Sequence, residues 1–201
     1  EYRRQRQMCI RDRATCFEGA LLVLAFLLGR VVSVNPVDSF HFNHTDLALA
    51  LLGVLPLYIP YTRIHAGQPG WLGHIKRLTT GILGRMLAGC GRLALFYVAC
   101  LAGVAEEIFF RGLLQTGLEQ YFGVAQALLG SSVLFGLAHW ITPGYALLAG
   151  LAGLYLGSTL YWTEQPNLLI PIVIHALYDY LALISIAHDC RSSTAIDPSS
   201  G

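Results

Sequence analysis

Six residues in this chain carry side chains and spacings suited to hydrolysis in an apolar setting: Glu106, Glu107, Arg111, His139, His175 and Asp179. Between Ala94 and Ala187 the formally charged residues are Glu106, Glu107, Arg111, Glu119, Glu164 and Asp179. An ionisable group inside a bilayer costs at least ~2.5 to 3.5 kcal/mol on insertion scales, so each must be explained by a role or a partner. Glu119 follows Gly117, and Glu164 lies in Thr-Glu-Gln-Pro-Asn; helix ends and loops facing water account for both.

Glu107 and Arg111 stand four apart and share a helix face, so they can pair. Glu106 is rotated about 100° from its neighbour and is free to face a cavity. An ion-pair network that takes in both glutamates explains this segment equally well. Phe135 and His139 repeat the spacing, with the ring one turn above the imidazole, although a lone histidine near a membrane boundary also reads as an interfacial residue. His175 and Asp179 lie well inside an apolar run, where the carboxylate can hydrogen-bond the imidazole and set its tautomer. A His–Asp pair that merely joins helices is the competing explanation there.

Taken together, three apolar segments each supply polar groups at helical spacing. A carboxylate and two imidazoles are what water activation requires: a base strengthened by apolar surroundings, and donors or a metal to stabilise an oxyanion.

Helices must hold these groups, and the composition says where. The chain has 201 residues, 55% hydrophobic and 12% charged, about half the usual charge of a soluble domain. Spanning a ~30 Å hydrocarbon core takes roughly 20 apolar residues in a helix. Six runs qualify: Ala14–Val34, Thr45–Tyr61, Met86–Val104, Val124–Trp140, Tyr145–Trp162 and Leu168–Ala187. The expected fold is all-α, a polytopic transmembrane helix bundle of about six spans with the active site inside it.

Residues 1–13 resemble translated adapter sequence and are set aside as a non-native or disordered leader. Residues 14–188 read as one intramembrane domain with a motif-bearing core at 84–188, and the Ser-rich stretch 189–201 reads as a disordered tail. Ala66 to Thr80 reads as a linker with a short interfacial helix around Trp71. The small residues from Gly150 to Gly157 suit close helix packing. Five cysteines without a C-x-x-C pair point to structural thiols.

Basic residues gather in the second connection, at Arg63, Lys76, Arg77 and Arg85, which places it in the cytoplasm and, with six spans, both chain ends as well. The net charge of +1 and the lack of an aromatic-flanked basic block speak against nucleic-acid binding.

Glu106-Glu-x-x-x-Arg111, Phe135-x-x-x-His139 and His175-x-x-x-Asp179 resemble the three signature motifs of the CAAX-protease and bacteriocin-processing intramembrane proteases, which include the type II CAAX prenyl endopeptidases. The resemblance covers roughly Gly84 to Ala187, in the family's motif order. It implies a prokaryotic inner-membrane, multi-pass protein whose site opens toward the cytosol. It further implies Glu106 as general base with His139, Glu107 and Arg111 as supports beside Phe135, and His175 with Asp179 at the oxyanion. In the eukaryotic members the last motif ends in Asn, which can donate a hydrogen bond; an ionised Asp179 cannot. Asp179 must then be protonated, orient His175, or help bind a cation.

The expected activity is an intramembrane endopeptidase, glutamic-type or metal-dependent, acting on a membrane-associated protein or peptide in the bilayer. No cofactor is required by the sequence; Zn²⁺ held by Glu106, His139, His175 and Asp179 stays open, since two imidazoles and carboxylates can bind it, yet there is no His-Glu-x-x-His. The alternatives are a non-proteolytic scaffold or bacteriocin-immunity-type protein that retains the site residues, and an ion or proton transporter, which lacks the inverted repeats expected of one. In a plain six-span layout Glu106 and His139 sit at different depths, at about 1.5 Å per residue. A helix break near Gly103 is the expected remedy.

Overall fold

The computed structural model describes residues 2–66, 70–87 and 89–196. Its elements in chain order are α1 (Tyr2–Val31), α2 (His44–Gly53), α3 (Leu55–His65), α4 (Trp71–Leu87), α5 (Arg92–Glu107), a π-helical segment (Ile108–Gln115), α6 (Thr116–Phe122), α7 (Val124–Ala138), α8 (Pro143–Thr159) and α9 (Leu169–Ile196). All are helical, as expected of a bilayer protein, because a helix satisfies its backbone polar groups internally. Helices α1 and α9 continue beyond the expected domain limits at residues 14 and 188.

Helix occupies most of the apolar runs, but only four helical stretches among the described residues are long and apolar enough to cross a bilayer: Arg11–Val31, His44–Arg63, Arg92–Phe122 and Leu169–Cys190. Helix α7 is apolar but has 15 residues, about 22 Å of rise against a ~30 Å core. The third span is displaced from Met86–Val104 to Arg92–Phe122 because the apolar run continues past the two glutamates, and because Cys90 and Gly91 separate α5 from α4. The expected short interfacial helix is the 17-residue α4, and Lys76 on it lies 3.7 Å from Asp189 near the end of α9. The basic connection and that end of α9 therefore meet on one face.

No break occurs at Gly103, which lies inside the continuous helix α5. Instead the chain reverses at Gly123, whose φ of 80° is a left-handed backbone that glycine adopts without a Cβ clash. Glu106 stands 17 residues before Gly123 and His139 16 residues after it, so the α6–α7 hairpin returns both to one depth. Arg111 and Phe135 lie 12 residues to either side and meet in the same way.

Helix α5 packs along α9, α7 along α8, and α1 flanks α5 and the π-helical segment. In lipid such contacts depend on close approach of small residues. A Cβ on Gly103 would lie 2.8 Å from the backbone nitrogen of Ala176, and one on Gly136 would lie 2.6 Å from the Ala146 carbonyl oxygen. The start of α9 is set by buried Asn167, whose Oδ1 accepts from Leu169 N at 3.0 Å and whose Nδ2 donates to Asp46 of α2 at 2.6 Å. That anchor fixes the height of His175, two turns further along.

Replacing Gly103 with Ala is expected to cost about 1 to 3 kcal/mol by overpacking the α5–α9 contact. Gly19→Ala, where nothing lies within 4 Å, should leave thermal unfolding in detergent unchanged or slightly improved. Equal unfolding temperatures for Gly103→Ala and the parent chain would refute this account of the contact.

Candidate active site

The centre of the bundle is a buried carboxylate. Glu107 is fully inaccessible, and its Oε1 accepts from Arg111 Nη1 at 2.8 Å and from His175 Nδ1 at 2.7 Å. Because that oxygen is an acceptor, Nδ1 of His175 is the proton-bearing nitrogen. The pairing of Glu107 with Arg111 is the one their spacing predicts. The contact with His175 is not visible in spacing, since 68 residues separate the two. Asp179 stands on the other side of the ring, its Oδ2 3.6 Å from the other imidazole nitrogen, Nε2. Glu107, not Asp179, makes the short bond that orients His175.

Arg111 is 1% exposed and reaches across to α8, donating from Nη2 to the Gly153 carbonyl at 2.8 Å. One turn on, Gln115 Nε2 donates to the Gly157 carbonyl at 3.1 Å. These two rungs give the glycines of α8 a definite purpose. A Cβ at Gly157 would lie 2.5 Å from Gln115 Oε1, so only glycine admits the side chain to the carbonyl. Gln115 escapes a reading of the sequence because a neutral amide in an apolar run carries no charge signal. The helix carrying these groups widens to π geometry immediately after Glu107, and such widening is frequent at functional sites.

Glu106 is turned away from Glu107, as their adjacency predicts. Its Oε2 lies 3.5 Å from Nε2 of His139, is itself buried, and has no hydrogen-bond partner among the described residues. His139 caps the C-terminal end of α7, and its Nδ1 lies 2.9 Å from the Phe135 carbonyl oxygen. A carbonyl can only accept, so Nδ1 carries the proton and Nε2 of the neutral ring presents a lone pair to Glu106. Phe135 holds the group together: its ring stacks on His139 at 4.4 Å, meets His175 edge-on at 5.9 Å, and lies 4.6 Å beneath the Arg111 guanidinium carbon.

All seven expected residues thus gather in one place, in two working pairs. Glu106, His139 and Asp179 have partly accessible side chains, while His175, Glu107 and Arg111 are buried. Among the described residues no group of three or more His, Cys, Asp or Glu is arranged to hold a metal ion. One further acid, Glu18 of α1, is 7% exposed; in the sequence it reads only as an interruption of the first span.

A membrane-embedded helical bundle with a buried carboxylate–histidine site is the class that this geometry defines. Residues 89–181 match the family model described as type II CAAX prenyl endopeptidase Rce1-like, and this segment holds all three motifs. No curated protein and no solved structure matches the chain. The chain is an integral membrane protein, and the family that residues 89–181 resemble is one of proteases.

Arg111→Ala, which strips the cation from a sealed carboxylate, is expected to destabilise the fold by about 3 to 5 kcal/mol. Arg111→Lys should recover only part of this, because an ammonium is a point charge and cannot fork between Glu107 and Gly153. Denaturant unfolding of the purified variants checks both values. A fully stable Arg111→Ala chain would remove Glu107 and Arg111 from their supporting role.

Proposed function

We propose that the protein is an endopeptidase that cleaves a membrane-associated protein or peptide with a water activated by Glu106 and His139. The carrying observation is the pair of acceptors facing each other: the lone pair on His139 Nε2 and the unpartnered Glu106 Oε2, 3.5 Å apart. Two acceptors are bridged by a molecule with two donors, and water is the smallest. Glu106 takes one proton of that water as its oxygen attacks the scissile carbonyl carbon, and the other O–H remains on His139. The carbonyl π electrons move to oxygen and form the oxyanion. On collapse, Glu106 returns the proton to the leaving amine nitrogen and the C–N bond breaks.

His175 serves the oxyanion. With Nδ1 donating to Glu107, the imidazolium form of His175 carries a second proton on Nε2, on the side of Asp179, where a tetrahedral oxygen can accept it. The negative charge of Asp179 favours this protonated ring without touching the oxyanion itself, since an ionised carboxylate offers no donor. This account makes use of an Asp where the eukaryotic members have Asn.

Glu106→Gln and His139→Ala are expected to lower cleavage at least ~10²-fold, the usual worth of general base catalysis. The readout is proteomic comparison of membranes carrying each form, with thermal unfolding showing that both variants fold. Unchanged cleavage products with Glu106→Gln would favour a scaffold that keeps the site for binding. Treatment of the purified protein with EDTA and with 1,10-phenanthroline is expected to leave the cleavage rate within about the twofold scatter of single-interaction effects. Loss of activity that Zn²⁺ restores would replace the water-activation scheme with a metal-dependent one.

A further inference from the structure

The first helix brings a fourth carboxylate to this site. Glu18, Leu22 and Ala25 stand at i, i+4 and i+7 on α1 and so share one face. Leu22 and Ala25 belong to the apolar cluster that contains Ile108, adjoining Glu107, and Ile172, three residues before His175. Glu18 therefore sits one turn along a face already packed on both motif helices. It is 7% exposed, and its Oε2 is buried without a hydrogen-bond partner among the described residues. Its charge acts on those of His175, Asp179 and Glu106, which places it among them electrostatically as well.

Hydrolysis itself makes no use of Glu18, because the water lies between Glu106 and His139 and the oxyanion lies at His175. A buried carboxylate without a partner is costly in lipid, so a compensating group is to be expected when the site is filled. The charge count says of what kind. Glu18, Glu106, Glu107 and Asp179 are four acids against one arginine, which is committed to Glu107 and Gly153. Protonating both His139 and His175 would still leave an excess of negative charge. A water-poor cavity of one sign concentrates ligands of the other.

Resting on the endopeptidase reading, we propose that Glu18 is a specificity residue: its carboxylate receives the ammonium or guanidinium group of a lysine or arginine side chain beside the scissile bond. The contact is a charge-assisted hydrogen bond, formed only when substrate is bound.

The test uses the full chain in lipid nanodiscs and a library of acylated synthetic decapeptides randomised at their central positions, with cuts read by mass spectrometry. Cuts that vanish with Glu106→Gln define the protein's own activity. Among these, the wild type is expected to enrich Lys and Arg within two residues of the cut by about tenfold, the worth of one hydrogen bond to a charged group. Glu18→Gln, which keeps the size and removes the charge, should abolish the enrichment, so that the ratio of basic to neutral cuts falls by the same factor. Glu18→Asp should restore part of it, and this rescue separates charge recognition from a role in folding alone.

Retained enrichment in Glu18→Gln, no enrichment in the wild type, or an equal fall for basic and neutral peptides overturns the proposal. If Glu18→Gln fails to fold, Glu18→Asp alone must lower the basic-to-neutral ratio, and an unchanged ratio overturns it. A complete lack of Glu106-dependent cuts instead overturns the endopeptidase reading on which the proposal rests.

Discussion

The double acceptance at Glu107 Oε1 is the interaction on which the rest of the site depends. One oxygen, fully removed from solvent, receives both an arginine of its own helix and a histidine of α9. In lipid an acid of this kind survives only if it is paired, and removing one member of a buried pair costs far more than a surface pair contributes. Because Arg111 in turn holds the Gly153 carbonyl, one carboxylate ties α5, α8 and α9 together. The donor atoms are used in a fixed order, so the tautomer of His175 follows from the packing rather than from chance protonation.

From that anchor the geometry divides by accessibility. The sealed pair, Glu107 and Arg111, supplies rigidity; Glu106, His139 and Asp179 are the partly open groups beside it. Phe135 stands between the two sets, stacked on one imidazole and edge-on to the other, with a guanidinium over its face. Its position gives the middle motif a role beyond the histidine. A ring held by three partners orients His139 with no acid of its own to do so, while the Phe135 carbonyl settles which imidazole nitrogen carries the proton.

Close approach is the second requirement, and glycine meets it at defined points. Hydrocarbon gives helices no hydrophobic reason to associate, so contact must come from fit and from polar rungs. Arg111 and Gln115 step along the π-helical segment and meet carbonyls on α8 that are likewise one turn apart. Gly157 leaves the room for Gln115, and Gly153 for the Phe135 ring. The stretch that reads as generic helix packing is therefore specific to this site.

Charge in an apolar run and the i, i+4 spacing are enough to single out, from the sequence, the residues that the fold gathers, because a bilayer makes every ionisable group an exception that needs a reason. The pairing of Glu107 with Arg111, the separate direction of Glu106, and the Phe135–His139 stack all follow from helical geometry within one segment. Contacts between segments do not follow. The bond from Glu107 to His175, the burial of Glu18 near the site, and the meeting of Glu106 with His139 depend on how helices far apart in sequence are set against one another. The depth of Glu106 escapes the sequence for the same reason. Hydropathy marks that a run is apolar but not where it turns, and here the turn is decided by Gly123, which folds the third span back on itself and brings two motifs level.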